Sequence, residues 1–166
     1  MRLLDLFCGQ GGAAMGYSLA GFDEIVGVDI NPQPRYPFTF VQDDALAYLE
    51  RYIWGVPAPE PFDAIHASPP CQAYSVATRD KSKHAALVPP VRALLAYTGL
   101  PYVIENVPGA PLIDPVTLCG SSFGLKVRRH RLFEVNWPLL LVPPCDHKGQ
   151  GQPVGVYGGG TGKGQK

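Results

Sequence analysis

What most constrains this chain is an alternation, through its first hundred residues, of short apolar runs with segments of helical spacing. Arg2–Phe7, Glu24–Asp29, Phe38–Gln42, Phe62–Ala67 and Tyr102–Ile104 are short and apolar, and most end at Gly, Pro, Asn or Asp, as buried strands do. Between them, Gly12–Ala20 reads as a helix that packs through Ala13, Ala14, Tyr17 and Leu19 and stops at Gly21. Ala45–Trp54 reads as a second, with Leu46, Leu49, Ile53 and Trp54 on one face, and Val91–Tyr97 as a third. Strands separated by helices need crossover connections and so pair in parallel. The fold class expected is therefore α/β, a mostly parallel sheet with flanking helices. Beyond Val107 the pattern changes, and Thr117–Cys119 and Leu132–Val135 read as further strands that can run antiparallel.

Sheets of this kind bind ligands beyond the carboxyl ends of their strands. Asp5, Asp29, Ser68 and Glu105 all fall at those ends. Gly9-Gln10-Gly11-Gly12-Ala13-Ala14 leaves the first strand and opens the first helix, where the backbone must turn tightly and come close to a ligand. Asp29 can accept from a ribose diol. This G-x-G-x-x-A pattern indicates an adenosine-type cofactor but leaves NAD and S-adenosylmethionine open. Asp44, after the third strand, suits an adenine amino group or the N-cap of the helix starting near Ala45.

A length of 166 residues suits one domain with a real core. Fourteen basic and fourteen acidic residues cancel, so any nucleic-acid contact must come from local patches. Met1–Cys8 is too short for a signal peptide, and no stretch approaches a membrane span, so a cytoplasmic protein is expected. Cys8, Cys71, Cys119 and Cys145 form no C-x-x-C pair, which argues against zinc and against a disulfide framework. Three of them read as buried apolar residues. Cys71 differs, because Ser68-Pro69-Pro70-Cys71-Gln72 holds it in a stiff polar turn at the ligand edge. Glu105-Asn106-Val107 ends the next strand and can bring a carboxyl to the thiol.

Asp5-Leu6-Phe7-Cys8-Gly9-Gln10-Gly11-Gly12, Pro70-Cys71-Gln72, Glu105-Asn106-Val107 and Arg129-His130-Arg131, in that order, resemble the successive motifs of the cytosine-C5 DNA methyltransferase family. The resemblance covers roughly Leu3–Phe133. It implies a Rossmann-like S-adenosylmethionine-dependent methyltransferase fold and DNA as substrate, with the target cytosine flipped into the site. Cys71 is then the nucleophile, Glu105 the proton donor to N3, Arg131 the contact to O2 and Arg129 its support. S-adenosylmethionine falls to Phe7, Gly9, Gly11, Gly12, Asp29, Ile30, Asp44 and Pro70, with no metal. Asn106 is expected to orient its loop, and Tyr74–Ala86, with Arg79, Lys81, Lys83 and His84, to close over DNA.

Two departures from the family pattern stand out. Val127 replaces the glutamine usual before the arginine pair, and neither a sequence-reading domain nor a closing helix is recognisable after Phe133. The expected organisation is a catalytic core over 1–147 and a Gly-rich flexible tail over 148–166. Truncation, completion by a second polypeptide that supplies target recognition, or a compact phage-like relative would each explain the short end. Without the closing helix, the first helix should be exposed. The alternative function is a catalytically incomplete S-adenosylmethionine- or DNA-binding remnant.

Overall fold

The computed structural model describes residues 1–55, 60–139 and 141–155. Seven strands form one sheet: β1 (Arg2–Leu6), β2 (Glu24–Asp29), β3 (Thr39–Gln42), β4 (Ala64–Ala67), β5 (Tyr102–Asn106), β6 (Val116–Cys119) and β7 (His130–Val135). Their order is β3-β2-β1-β4-β5-β7-β6. The first five run parallel, and β7 is antiparallel to both β5 and β6. Helices α1 (Gly12–Leu19), α2 (Ala45–Trp54) and α3 (Val88–Thr98) occupy the crossovers. The expected α/β class holds. α3 begins three residues earlier than its apolar spacing suggested, because Pro89 and Pro90 sit in its first turn, where a missing N–H costs nothing.

Alternation along the strands divides the core. Leu4, Leu6, Val26, Val28, Ile65 and Ile104 pack beneath α2 and α3 through Leu49, Val91 and Leu95. On the other face Leu3, Ile25 and Tyr36 meet Ala14 of α1. That face is thinly covered. Ala14 is the one buried residue of α1, and Leu19, expected to pack, is 86% exposed. Trp54 is also a correction: it stands at the surface, its ring 5.9 Å from that of Tyr97.

The antiparallel end of the sheet is fastened by a buried ion pair. Glu134 accepts from Arg92 Nε and Nη2, each at 2.6 Å, and from Ile113 N–H at 2.8 Å. One carboxylate thus ties β7 to α3 and to the connection after β5. Of the segment expected as a tail, residues 156–166 lie outside the described residues. Within 148–155, Val154 N–H bonds Lys126 carbonyl at 2.7 Å and Gln150 Nε2 bonds the Leu125 and Val127 carbonyls. No helix among the described residues is long and apolar enough to cross a membrane.

Candidate active site

The ends of β1, β2, β4 and β5 and the start of β7 deliver the residues of the site. β1 leaves the sheet through Phe7, whose φ of +57° is unusual for a side chain with a Cβ, and through Gly9 (φ +49°) and Gly11 (φ +85°). Gly11 is required twice, since a Cβ there would lie 2.7 Å from Pro37 Cδ. Beside Gly9 and Gly12 the space is open. Asp29, ending β2, accepts from Gly9 N–H at 3.0 Å and Asn31 N–H at 2.9 Å, which fixes its carboxylate against the glycine loop with acceptor capacity left. Ile30, the next residue, is 64% exposed. Phe7 is half-buried against the larger core cluster. Asp44 is the N-cap of α2, with Oδ1 2.9 Å from Ala47 N, so of its two sequence readings the structure displays the cap.

β4 ends in the proline turn. Pro69 is buried, Pro70 exposed, and Cys71 half-buried as a free thiol. The carbonyl of Cys71 accepts from Tyr74 and Ser75 N–H, both at 2.9 Å. Asn106, fully buried at the end of β5, donates through Nδ2 to the Pro69 carbonyl at 2.9 Å and accepts Val107 N–H through Oδ1. It holds the turn from the neighbouring strand, in keeping with the orienting part expected of it.

Cys71, Glu105, Arg129 and Arg131, with Ser68 and Pro70, line one cleft of about 260 Å³. Glu105 Oε1 is 2.7 Å from Arg131 Nε. Burial raises the Glu105 pKa above the usual carboxylate range, and Arg131, Arg129 and the Ser68 hydroxyl only partly offset it. Burial also lowers the pKa of Arg131, and Arg129 adds to this. A thiol, a carboxyl whose pKa burial has raised and two guanidiniums therefore share one small space. The other cysteines are elsewhere. Cys8 is buried, its thiol pushed up to about 12 chiefly by burial, and Cys119 is buried, whereas Cys145 is exposed, against the expectation for it.

Two buried polar arrangements pair Asp5 and Ser68, expected at the ligand edge, with residues that no spacing relates to them. His66 lies between Tyr17 Oη (3.1 Å from Nδ1) and Ser68 Oγ (2.8 Å from Nε2), and burial lowers its pKa to about 4, so it is neutral. Asp5 accepts from Tyr36 Oη at 3.0 Å, and burial raises its pKa to about 7. Gly27 makes room for that tyrosine, because a Cβ there would be 2.2 Å from Tyr36 Cζ. Ser68, Glu105 and Arg129 also border a second groove, of about 650 Å³, that runs along Gly12, Gly16 and Tyr17 of α1.

Known proteins share both pattern and fold. The C-5 cytosine-specific DNA methylase family matches residues 1–111. The Type II methyltransferase M.AgeI of Thalassovita gelatinovora is 26% identical over 166 positions, covering 80% of this chain and 38% of that protein. The chain thus spans well under half the length of this relative. A prophage-encoded E. coli protein described as a DNA modification methyltransferase superposes with a TM-score of 0.60 at 23% identity, over 81% of this chain and 46% of that one. The Dnmt2 methyltransferase of S. pombe gives 0.52 at 18% identity, over 81% and 48%. The sheet has the Rossmann-like methyltransferase architecture that the resemblance implied. With the family match extending over 111 of 166 residues, the chain belongs to the C-5 cytosine-specific DNA methylases.

Proposed function

We propose that this chain transfers a methyl group to C5 of cytosine in DNA, with Cys71 as a transient covalent nucleophile. The observation that carries the reading is the convergence of Cys71, Glu105, Arg129 and Arg131 on one cleft from three different strands. Cytosine C5 is a poor nucleophile, and addition of a thiolate to C6 turns the ring into an enamine that can attack. Negative charge then builds on N3 and O2. Glu105 delivers its proton to N3, a task suited to a carboxyl whose pKa burial has raised. Arg131 faces O2, and Arg129 adds positive charge beside it. Loss of the C5 proton to solvent after methylation re-forms the ring double bond and expels Cys71 as a thiolate, and N3 returns its proton to Glu105. The groups of the cleft address the ring and edge of one base, which duplex stacking hides, so the target nucleotide leaves the duplex to reach Cys71.

S-adenosylmethionine supplies the methyl group. The residues fit it: open space at Gly9 and Gly12, a fixed carboxylate at Asp29 and an exposed apolar face at Ile30 lie together at the ends of β1 and β2. Phe7, Gly11 and Pro70 complete the cradle, and Asp44 adds an acceptor through the oxygen its cap leaves free. Arg79, Lys81, Lys83 and His84, all exposed on the segment after Cys71, supply local positive charge for the DNA backbone in a chain of zero net charge.

The test is incubation with S-adenosylmethionine and duplex DNA containing 5-fluorocytosine. Fluorine at C5 blocks the final elimination, so an adduct through Cys71 that survives denaturing electrophoresis is expected. Absence of the adduct, with cofactor binding intact by calorimetry, would replace this reading by that of a binding remnant.

A further inference from the structure

We propose that Cys119, His130, Cys145 and His147 form a tetrahedral zinc site that clamps the segment after β7 onto the β6–β7 hairpin. The four donor atoms all lie within 4.8 Å of one another. Cys145 Sγ is 3.0 Å from His147 Nε2 and 3.3 Å from His130 Nε2, and Cys119 Sγ is 3.4 Å from His147 Nε2. Around zinc, with bonds of about 2.3 Å to sulfur and about 2.0–2.1 Å to nitrogen, a tetrahedron has sulfur–nitrogen edges of about 3.5 Å. These three sulfur–nitrogen distances are within about half an ångström of that.

The local structure explains the convergence. Cys119 and His130 are direct partners in the antiparallel pair, so their side chains leave the same face of the hairpin side by side. Gly120 lets the chain turn at once after Cys119, since a Cβ there would lie 2.2 Å from the Val127 carbonyl. Cys145 and His147 arrive on a separate segment, placed by the Gln150 and Val154 hydrogen bonds to residues 125–127. Hydrogen bonding alone accounts poorly for the result. Two imidazole nitrogens and, at 3.5 Å, the Ser121 hydroxyl all point at the one sulfur of Cys145, which has at most one proton and is a weak acceptor. One cation satisfies the same arrangement. Two thiolates and two imidazoles without a carboxylate are a zinc donor set, and four protein ligands make the site structural. The lack of a C-x-x-C pair hid it, because the ligands come from three segments, ending in Cys-x-His.

The site sits next to the catalytic cleft without entering it. His130 stands between Arg129 and Arg131, and strand alternation turns its side chain away from that of Arg131. Holding His130 therefore fixes the stretch of backbone from which both arginines project.

The test is metal analysis of the full chain, purified without a polyhistidine tag from zinc-supplemented medium. About one zinc per chain is expected, falling below about a tenth in Cys145→Ser and in His147→Ala while Cys71→Ser keeps its metal. Far-UV circular dichroism of the variants checks that loss of zinc is not loss of fold. Cobalt(II) in place of zinc should give the visible bands of a tetrahedral site and a near-ultraviolet thiolate charge-transfer band, both absent in Cys145→Ser. Wild-type protein holding no more zinc or cobalt than Cys145→Ser overturns the proposal, as does a Cys119–Cys145 disulfide in the peptide map of metal-replete protein.

Discussion

Arg131 and Glu105 meet across the antiparallel pair of β7 and β5, guanidinium Nε 2.7 Å from carboxylate Oε1. Burial raises the carboxyl's pKa and the arginine opposes the rise. The pair is thus set against itself, with burial raising the carboxyl's pKa beside a charge that lowers it. A base placed between them would take up the arginine's charge and free the carboxyl to donate. Glu105→Gln should slow adduct formation on 5-fluorocytosine DNA by about 10²–10⁴-fold, the usual contribution of a positioned acid, while cofactor affinity by calorimetry stays put. An unchanged rate would remove Glu105 from the proton-transfer step.

Asn106 acts through the turn it holds. With its amide deleted in Asn106→Ala, the Pro69 carbonyl loses its partner in a buried place, at a cost of about 1–3 kcal/mol in urea denaturation. The Cys71 turn should loosen with it. Slower trapping at saturating cofactor and DNA is expected, and Asn106→Asp should not restore it, because a carboxylate cannot donate to the Pro69 carbonyl.

The Arg92–Glu134 pair predicts a stability effect remote from the chemistry. Removing one member of a buried, bidentate pair strands the other, so Glu134→Ala should cost about 3–5 kcal/mol by chemical denaturation. Replacing both with apolar residues should recover much of the loss. A single variant within about 0.5 kcal/mol of wild type would mean the pair is not desolvated as its burial implies.

Asp5 and His66 predict opposed pH dependences on the α1 face. Asp5 has a folded pKa of about 7, raised chiefly by burial, with Tyr36 opposing and Asp29 adding to the rise. From about pH 4 to about 7 the folded state holds a proton that the unfolded state has lost, so this residue makes stability fall as pH rises. His66 has a folded pKa of about 4, lowered by burial from 6.5. Between those values the unfolded state holds the extra proton, and this residue makes stability rise with pH. Each slope approaches about 1.4 kcal/mol per pH unit, so between pH 4.5 and about 6 they should nearly cancel. Denaturation midpoints of Asp5→Asn should rise with pH over that interval, and those of His66→Gln should fall. Parallel profiles for the two variants would rule out one of the assignments.

Which features could be read along the chain follows from the range of the forces involved. Strand and helix periods are local, so all seven strands, three helices and the parallel direction of the first five were accessible from apolar spacing and from the need for crossovers. β3 already shortened at its start, and α3 lengthened, where prolines blur the local signal. Cys71 and Glu105 stood out because they end neighbouring parallel strands, whereas Arg129 and Arg131 came from the motif resemblance and reach the same edge at the start of antiparallel β7. Their separation and the 2.7 Å contact of Glu105 with Arg131 were set only by the packed sheet, since such distances depend on how the strands pair. The same holds for His66, Asp5 and the Asn106 clasp. It holds most of all for Cys119, His130, Cys145 and His147. In the sequence nothing relates them: Cys119 ends an expected strand, His130 sits inside the arginine motif, and Cys145 and His147 lie beyond the last strand. Only the β6–β7 hairpin, and the segment hydrogen-bonded across it, bring four soft donors to one point.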